Sequence, residues 1–311
     1  MIDAAVDALV DLLCCPSDQG QLRRAPGRLV CGVCDRRYVW DGQLVSFLSD
    51  DDLAGVDRSE QVSRDTEAAW YDTIFAEYTN VVEVPATLSR LGRPTGPLLD
   101  HGAGTGRITA TMVGDLGQPV IALDYSMEAL RLLLPRVRGK AVLVVHGDGR
   151  QLPIRSGVLA GITSAEVYEH FRAPDRRRVL EELARVLQPG APLSISSLNF
   201  NLTFRLWKLK GNKGAKEGEH MFGGDFYYLR QTAKEFRSEL AAVFTVEELV
   251  GIRNIPARSL SVLVARVAGR PRGDRFLDFM TRRGQRLDRA LETTPLSRQL
   301  GFFLLAKVTK R

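Results

Sequence analysis

The chain has 311 residues, 44% hydrophobic and 26% charged. That composition suits one large folded domain, alone or with appendages, and excludes a disordered or fibrous chain. Its net charge of +6 is unevenly placed, with twelve Lys/Arg against four Asp/Glu between Arg266 and Arg311. A basic segment of this kind suits contact with nucleic acid or an anionic substrate as well as a solvated helical face.

The opening MIDAAVDALVDLL carries three aspartates and no basic stretch, so it does not read as a signal peptide. No apolar run approaches the roughly 20 residues of a membrane span, and no membrane partner is expected. All four cysteines precede residue 35, which argues against a disulfide framework and for a reduced, cytoplasmic setting.

Residues 1–50 read as a separate small module: a helical AAVDALVDLL, the turn-rich CCPSDQGQL, a short strand RLVCGVC and a further strand RRYVWDGQLVSFL. Cys31 and Cys34 have the two-residue gap of a zinc knuckle, and Cys15 lies sixteen residues before Cys31. The position three after Cys15 is Asp18, and carboxylate oxygen is an accepted zinc ligand. Cys15, Asp18, Cys31 and Cys34 are therefore the candidate metal set. Residues 51–66 are polar and weakly patterned, as suits a linker.

From residue 67 onward strands and helices alternate. The strand candidates are GPLLDHG, PVIALDY, AVLVVHG, LAGITSAE, APLSISSL and, far downstream, GFFLLAKV. The helical stretches between them are ITATMVGDL, SMEALRLLLPRV and PDRRRVLEELARVLQ. This rhythm predicts a doubly wound α/β sheet, interrupted by a basic and aromatic insertion at about 201–260. Ahead of the first strand, WYDTIFAEY offers Tyr71 and Tyr78 as pocket residues or as packing against the sheet.

The chemistry gathers where strands end. LLDHGAGTGR places Gly102, Gly104 and Gly106 in a strand-to-helix turn, two residues after Asp100. Such a turn brings bare backbone and helix N–H groups against a ligand. The spacing is D-x-G-x-G-x-G, not the G-x-G-x-x-G that seats a pyrophosphate, and a strand-end acid is a better neighbour for a cationic amine. Asp124 ends the second strand, where a carboxylate accepts both hydroxyls of a ribose, and Asp148 follows the third, where one accepts the amine of adenine.

Taken in order, LLDHGAGTGR, ALDYS, GDGRQLPI, EVYEHF and EELARVLQPGAPL resemble class I S-adenosylmethionine-dependent methyltransferases. The resemblance implies a seven-stranded Rossmann-like sheet with an antiparallel last hairpin near SLSVLVARV and GFFLLAKV. It implies that Asp100, Gly102 and Gly104 line the methionine and ribose of the donor, and that Asp124 holds the ribose. Tyr125 and Met127 would flank the adenine, Asp148 and Gly149 would meet its edge, and Glu166 would lie beside the methyl. It assigns His101 no role.

In-line methyl transfer needs a base only where the acceptor must lose a proton. His170 in EVYEHF and His220 in GEHMFGG are the candidates. The N-terminal module is similar to short zinc-ribbon proteins that activate methyltransferases, which implies closure over the catalytic domain or recognition of the acceptor. The expected reaction is methylation of a small-molecule acceptor. The alternative is an rRNA or tRNA methyltransferase using the ribbon and the basic C-terminal region. The acceptor atom and the oligomeric state stay open.

Overall fold

The computed structural model describes residues 2–48, 56–209, 216–221, 224–255, 267, 270–279 and 284–311. At the N-terminus, α1 (Ile2–Val10) buries Val6, Leu9 and Val10 at helical spacing, followed by β1 (Leu22–Ala25) and β2 (Arg28–Cys31). The stretch expected as one strand, RRYVWDGQLVSFL, is two: β3 (Arg37–Trp40) and β4 (Leu44–Ser46). Asp41 Oδ1 accepts the N–H groups of Gln43 (2.9 Å) and Leu44 (2.7 Å) and folds Asp41–Gly42 into the turn between them.

β4 then runs parallel to β7 (Val142–His146), Leu44 opposite Val144 and Ser46 opposite His146. The module thereby shares one eleven-stranded sheet with the rest of the chain, in the order β1-β2-β3-β4-β7-β6-β5-β8-β9-β13-β12. One apolar cluster runs through both parts, with Leu9, Val45 and Phe47 packed together with Leu143, Ile154 and Leu180. The module is thus an edge extension of the main sheet.

The next departure is α2 (Val56–Leu91), which makes residues 56–66 helical where a linker was expected. Local patterning is weak there, and tertiary anchoring replaces it. Asp65 accepts from the Ser126 hydroxyl and from the Glu128 N–H (3.2 Å) at the start of α4 (Met127–Val137).

The central strands β5 (Leu98–His101), β6 (Val120–Asp124), β7, β8 (Gly161–Ser164) and β9 (Pro192–Leu198) are parallel and covered on both faces. That is why they read as unbroken apolar runs. α3 (Arg107–Thr111), α4 and α5 (Ala173–Val186) make the crossovers. After α6 (Leu202–Leu209), a hairpin of β10 (Glu217–Met221) and β11 (Gly224–Leu229) precedes α7 (Ala233–Ala241).

Antiparallel β13 (Phe303–Lys310) closes the sheet between β9 and β12 (Phe244–Ile252). SLSVLVARV, the expected partner of GFFLLAKV, lies outside the described residues apart from Val267, and β13 pairs with β12 instead. FTVEELVGI turns its four last residues, Leu249–Ile252, into the core opposite Phe303–Ala306. Without the four N-terminal strands β1–β4, the seven-stranded sheet is the expected one. Among the described residues no helix is long and apolar enough to cross a membrane.

Candidate functional site

Asp100, the last residue but one of β5, has 1% of its surface exposed. Its Oδ1 accepts the Thr163 hydroxyl of β8 (2.9 Å) and its Oδ2 the Thr109 hydroxyl of α3 (2.6 Å), which ties the glycine turn to two neighbouring elements. Burial pushes its pKa up to about 6, against the pull of the two hydroxyls. Gly102 (φ +72°) packs so closely that a Cβ would fall 2.1 Å from Val167 Cγ2, whereas a Cβ on Gly104 (φ +52°) would enter open space. The first glycine serves packing. The second leaves backbone bare beside a cavity.

At the end of β6, Asp124 Oδ2 accepts the Gly104 N–H (2.7 Å) and Oδ1 the Ser126 N–H (2.8 Å). Burial raises its pKa, and these backbone donors hold it back. Tyr125 lines the cavity, but Met127, the first residue of α4, packs into the apolar cluster with Leu130 and Leu133 and is absent from the lining.

The third strand end is built differently. Both carboxylate oxygens of Asp148 are held by Arg150, through Nε (3.0 and 2.9 Å) and Nη2 (2.8 Å), and Arg150 reaches Asp175 of α5 at 3.7 Å. Gly149 lies against His101, where a Cβ would fall 2.3 Å from Nε2. The His101 ring bonds the Gly149 backbone on one side and Ser164 Oγ (3.0 Å) on the other. Burial lowers its pKa to about 4, so it stays neutral. This histidine braces the third loop against β8, a role invisible in the sequence because it depends on contacts 48 and 63 residues away.

These turns open on one cavity of about 450 Å³, within the usual range for small-molecule sites. Of the nine expected donor residues, eight line it; Met127 does not. α2 covers it with Arg64 and Ala68, and Gln61 donates to the Tyr125 carbonyl at 3.4 Å. Arg64, Arg107, Arg253, Phe302 and Phe303 also line it, none of them singled out from sequence.

The cavity lining also holds Glu166, Glu169, His170, Leu198, Arg253, Phe302 and Phe303. Glu166 sits at φ +58°, a strained conformation for a residue with a side chain, with Arg107 at 3.8 Å. Glu169 is 2% exposed, and its Oε2 has no hydrogen-bond partner among the described residues. Burial, with the like charge of Glu166 in support, raises its pKa to about 8. Buried Glu83 on α2 is pushed the same way, by burial and by Glu166. His170 donates from Nδ1 to the Tyr227 carbonyl (2.8 Å), and burial holds its pKa well below the usual imidazole range. His220 falls in β10 opposite Asp225, and its side chain lies outside the described residues, as do those of Tyr71 and Tyr78.

The module gathers its own cluster. Ligand atoms of Cys15, Asp18, Cys31 and Cys34 lie within 4.8 Å of one another. Zn–S bonds of about 2.3 Å at tetrahedral angles set sulfurs about 3.8 Å apart and sulfur and oxygen about 3.5 Å apart. Cys15 and Cys34 Sγ are 3.7 Å apart, and Cys31 Sγ lies 3.4 and 3.5 Å from the Asp18 oxygens. The Val33 N–H points at Cys31 Sγ (3.3 Å), and a Cβ on Gly20 would strike both Cys31 Sγ and Asp18 Oδ1. The donor set fits a tetrahedral ion. Cys14 is turned away, buried with its thiol pushed up to about 11 by desolvation.

Comparison with known proteins follows this geometry. A family model described as a methyltransferase domain matches residues 99–195. Malonyl-[acyl-carrier protein] O-methyltransferase of Methylococcus capsulatus is 32% identical over 141 residues, 44% of this chain and 50% of that protein. Demethylmenaquinone methyltransferase of Bacillus mycoides is 25% identical over 191 residues, 56% of this chain and 76% of that one. The chain spans about half the length of the Methylococcus relative.

Among solved structures, a chain from the complex of the Haloferax volcanii Trm112 methyltransferase activator with a methyltransferase superposes with TM-score 0.54 at 18% identity. That match covers 81% of this chain and 97% of that one. Haemonchus contortus phosphoethanolamine N-methyltransferase 2 gives TM-score 0.53 at 15% identity, covering 82% and 60%. Strand order, glycine turn and family match agree: the chain carries a class I S-adenosylmethionine-dependent methyltransferase domain.

Proposed function

We propose that the protein transfers the methyl group of S-adenosylmethionine to a small-molecule acceptor bound at the Glu169–Phe303 end of the cavity. The observation that carries this reading is the convergence of Asp100, Asp124 and Asp148, from three adjacent parallel strands, on one cavity with the bare backbone of Gly104. S-adenosylmethionine supplies an electrophilic methyl on sulfur. What the chain contributes is alignment and exclusion of water, with Asp124 placed for the ribose hydroxyls and α2 as the cover. A cavity lined by Glu166, Glu169, Leu198, Phe302 and Phe303 suits an acceptor with an apolar body and a hydrogen-bond donor.

Calorimetric titration with S-adenosylmethionine and with its demethylated product tests the donor assignment, saturable 1:1 binding being the expected result. Absence of binding by both would overturn it.

The same proposal gives Cys15, Asp18, Cys31 and Cys34 a zinc ion, with closed four-ligand coordination and so a structural role. Elemental analysis of purified protein should find about one zinc per chain, and Cys31→Ser should abolish it with a marked fall in melting temperature. Metal-free protein melting at the same temperature as loaded protein would remove the ion from the fold.

A further inference from the structure

Among the described residues, nothing partners an apolar stripe on α6. Leu202, Leu206 and Leu209 fall within about 60° of one another around the helix, and their exposures are 43%, 49% and 83%. The opposite face is occupied: the Phe204 ring stands 6.2 Å from Phe302, a residue of the cavity lining, and the Arg230 guanidinium stacks over Phe204 at 4.1 Å. α6 is therefore one helix thick between solvent and the acceptor end of the cavity.

The sequence that carries this stripe is basic. Residues 201–216 hold five Lys/Arg and no acid. Beside α6, Arg205 bonds Gln299 (2.9 Å) in the helix 297–300, and the turn entering that helix exposes Leu296. The preceding helix, Gln285–Glu292, sorts its charges by face. Asp288 is buried on Asn254 (2.9 Å) and Glu292 is buried on Arg90 (2.7 Å), while Arg286, Leu287 and Arg289 are exposed. Acids face the protein and bases face out, with leucines among them.

Exposed leucines flanked by basic side chains are the chemistry of a helix that lies in a membrane interface, where apolar groups enter the acyl boundary and cations meet anionic headgroups. We propose that the face formed by α6 and the 285–300 segment docks on an anionic lipid surface. Docking sets the Phe204–Phe302 side of the cavity toward the bilayer, which makes the acceptor a molecule that partitions into lipid. The inference deepens the methyltransferase reading, because it concerns how the acceptor reaches that site. It adds a surface contact to a chain in which no membrane span was expected.

The test is flotation of the full chain with phosphatidylcholine vesicles, either pure or containing about one third phosphatidylglycerol. The protein should rise with the anionic vesicles only, and the bound fraction should fall at least about tenfold as salt is raised toward 0.5 M. The double variant Leu206→Glu/Leu209→Glu, altered only at exposed positions, should lose about tenfold or more of the vesicle-bound fraction while titrating S-adenosylmethionine as the parent does.

Absence of flotation by the parent, or equal flotation by the variant, would sink the proposal. So would a parent dimer split by the variant in light scattering, which makes the occupant a second copy. Selective loss of binding to a single-stranded RNA oligonucleotide would make it RNA. Intact donor titration with no flotation strikes this inference alone. No donor titration strikes the reading it rests on.

Discussion

The two sides of the cavity proposed here for donor and acceptor are built by different means. On the side proposed for the donor, the acids lie at or just past the ends of parallel strands and are fixed by partners one turn or one strand away. Asp124 receives the N–H groups of Gly104 and Ser126, and Asp100 receives the hydroxyls of Thr109 and Thr163. Every buried oxygen of these two carboxylates has a donor. On the side proposed for the acceptor, Glu169 comes from the turn after β8, and its Oε2 has no hydrogen-bond partner among the described residues. Buried polar atoms without partners cost about 1–3 kcal/mol each. Such a cost is carried at sites a ligand completes. The side proposed for the donor is tied down by its own backbone and hydroxyl groups, and the side proposed for the acceptor keeps a buried carboxyl group whose Oε2 has no partner among the described residues.

The largest expected effect tests the side proposed for the donor. Asp124→Ala removes the proposed acceptor of the ribose hydroxyls and also the carboxylate that holds the glycine turn. Two charge-assisted hydrogen bonds of about 1.5 kcal/mol each correspond to roughly a hundredfold loss of S-adenosylmethionine affinity. Calorimetry measures it directly, and a change below about threefold would mean that the turn forms and binds without this acid.

The second test separates the halves by pH. Burial raises Glu169 from an ordinary 4.5 to about 8 in the folded chain. A carboxyl raised on folding contributes stability below its unfolded pKa and loses it as pH rises through the folded value, because the folded state must then carry a buried charge. Glu169→Gln removes that loss. Its melting temperature relative to the parent should therefore climb between pH 5 and pH 8, with Glu166, Arg64 and His170 left in place around it. A difference in melting temperature that is flat across this window would show that Glu169 is already satisfied.

How far each half was legible follows from the same contrast. Strands β5 to β9 and the turns after them show in the sequence because parallel strands buried on both faces must be apolar, and their ligand-bearing turns are local. Asp100, Asp124 and Asp148 could be found that way. The acceptor side could not. Phe302 and Phe303 reach the cavity because β13 inserts between β9 and β12, a pairing that periodicity does not specify. Arg64 lies in a stretch whose helix depends on Asp65 meeting the start of α4, and a window of sequence shows only weak patterning there. The break at Asp41–Gly42 was readable, since Asp-Gly between apolar runs signals a hairpin, and the apolar run on either side outweighed it.

Met127 supplies the smallest effect. In the resemblance to methyltransferases, position 127 flanks the adenine, and Tyr125, two residues earlier, does line the cavity. In this chain Ser126 caps α4 by accepting the Ala129 N–H (3.1 Å), which fixes the direction of the first helical turn and points Met127 at the cluster of Leu130 and Leu133. Met127→Leu keeps nearly the same apolar volume, so it should cost little stability and leave S-adenosylmethionine affinity within about twofold. Loss of about tenfold on this substitution would place the thioether against the adenine. The side proposed for the donor would then rearrange on binding, and the contrast between the two sides would no longer hold.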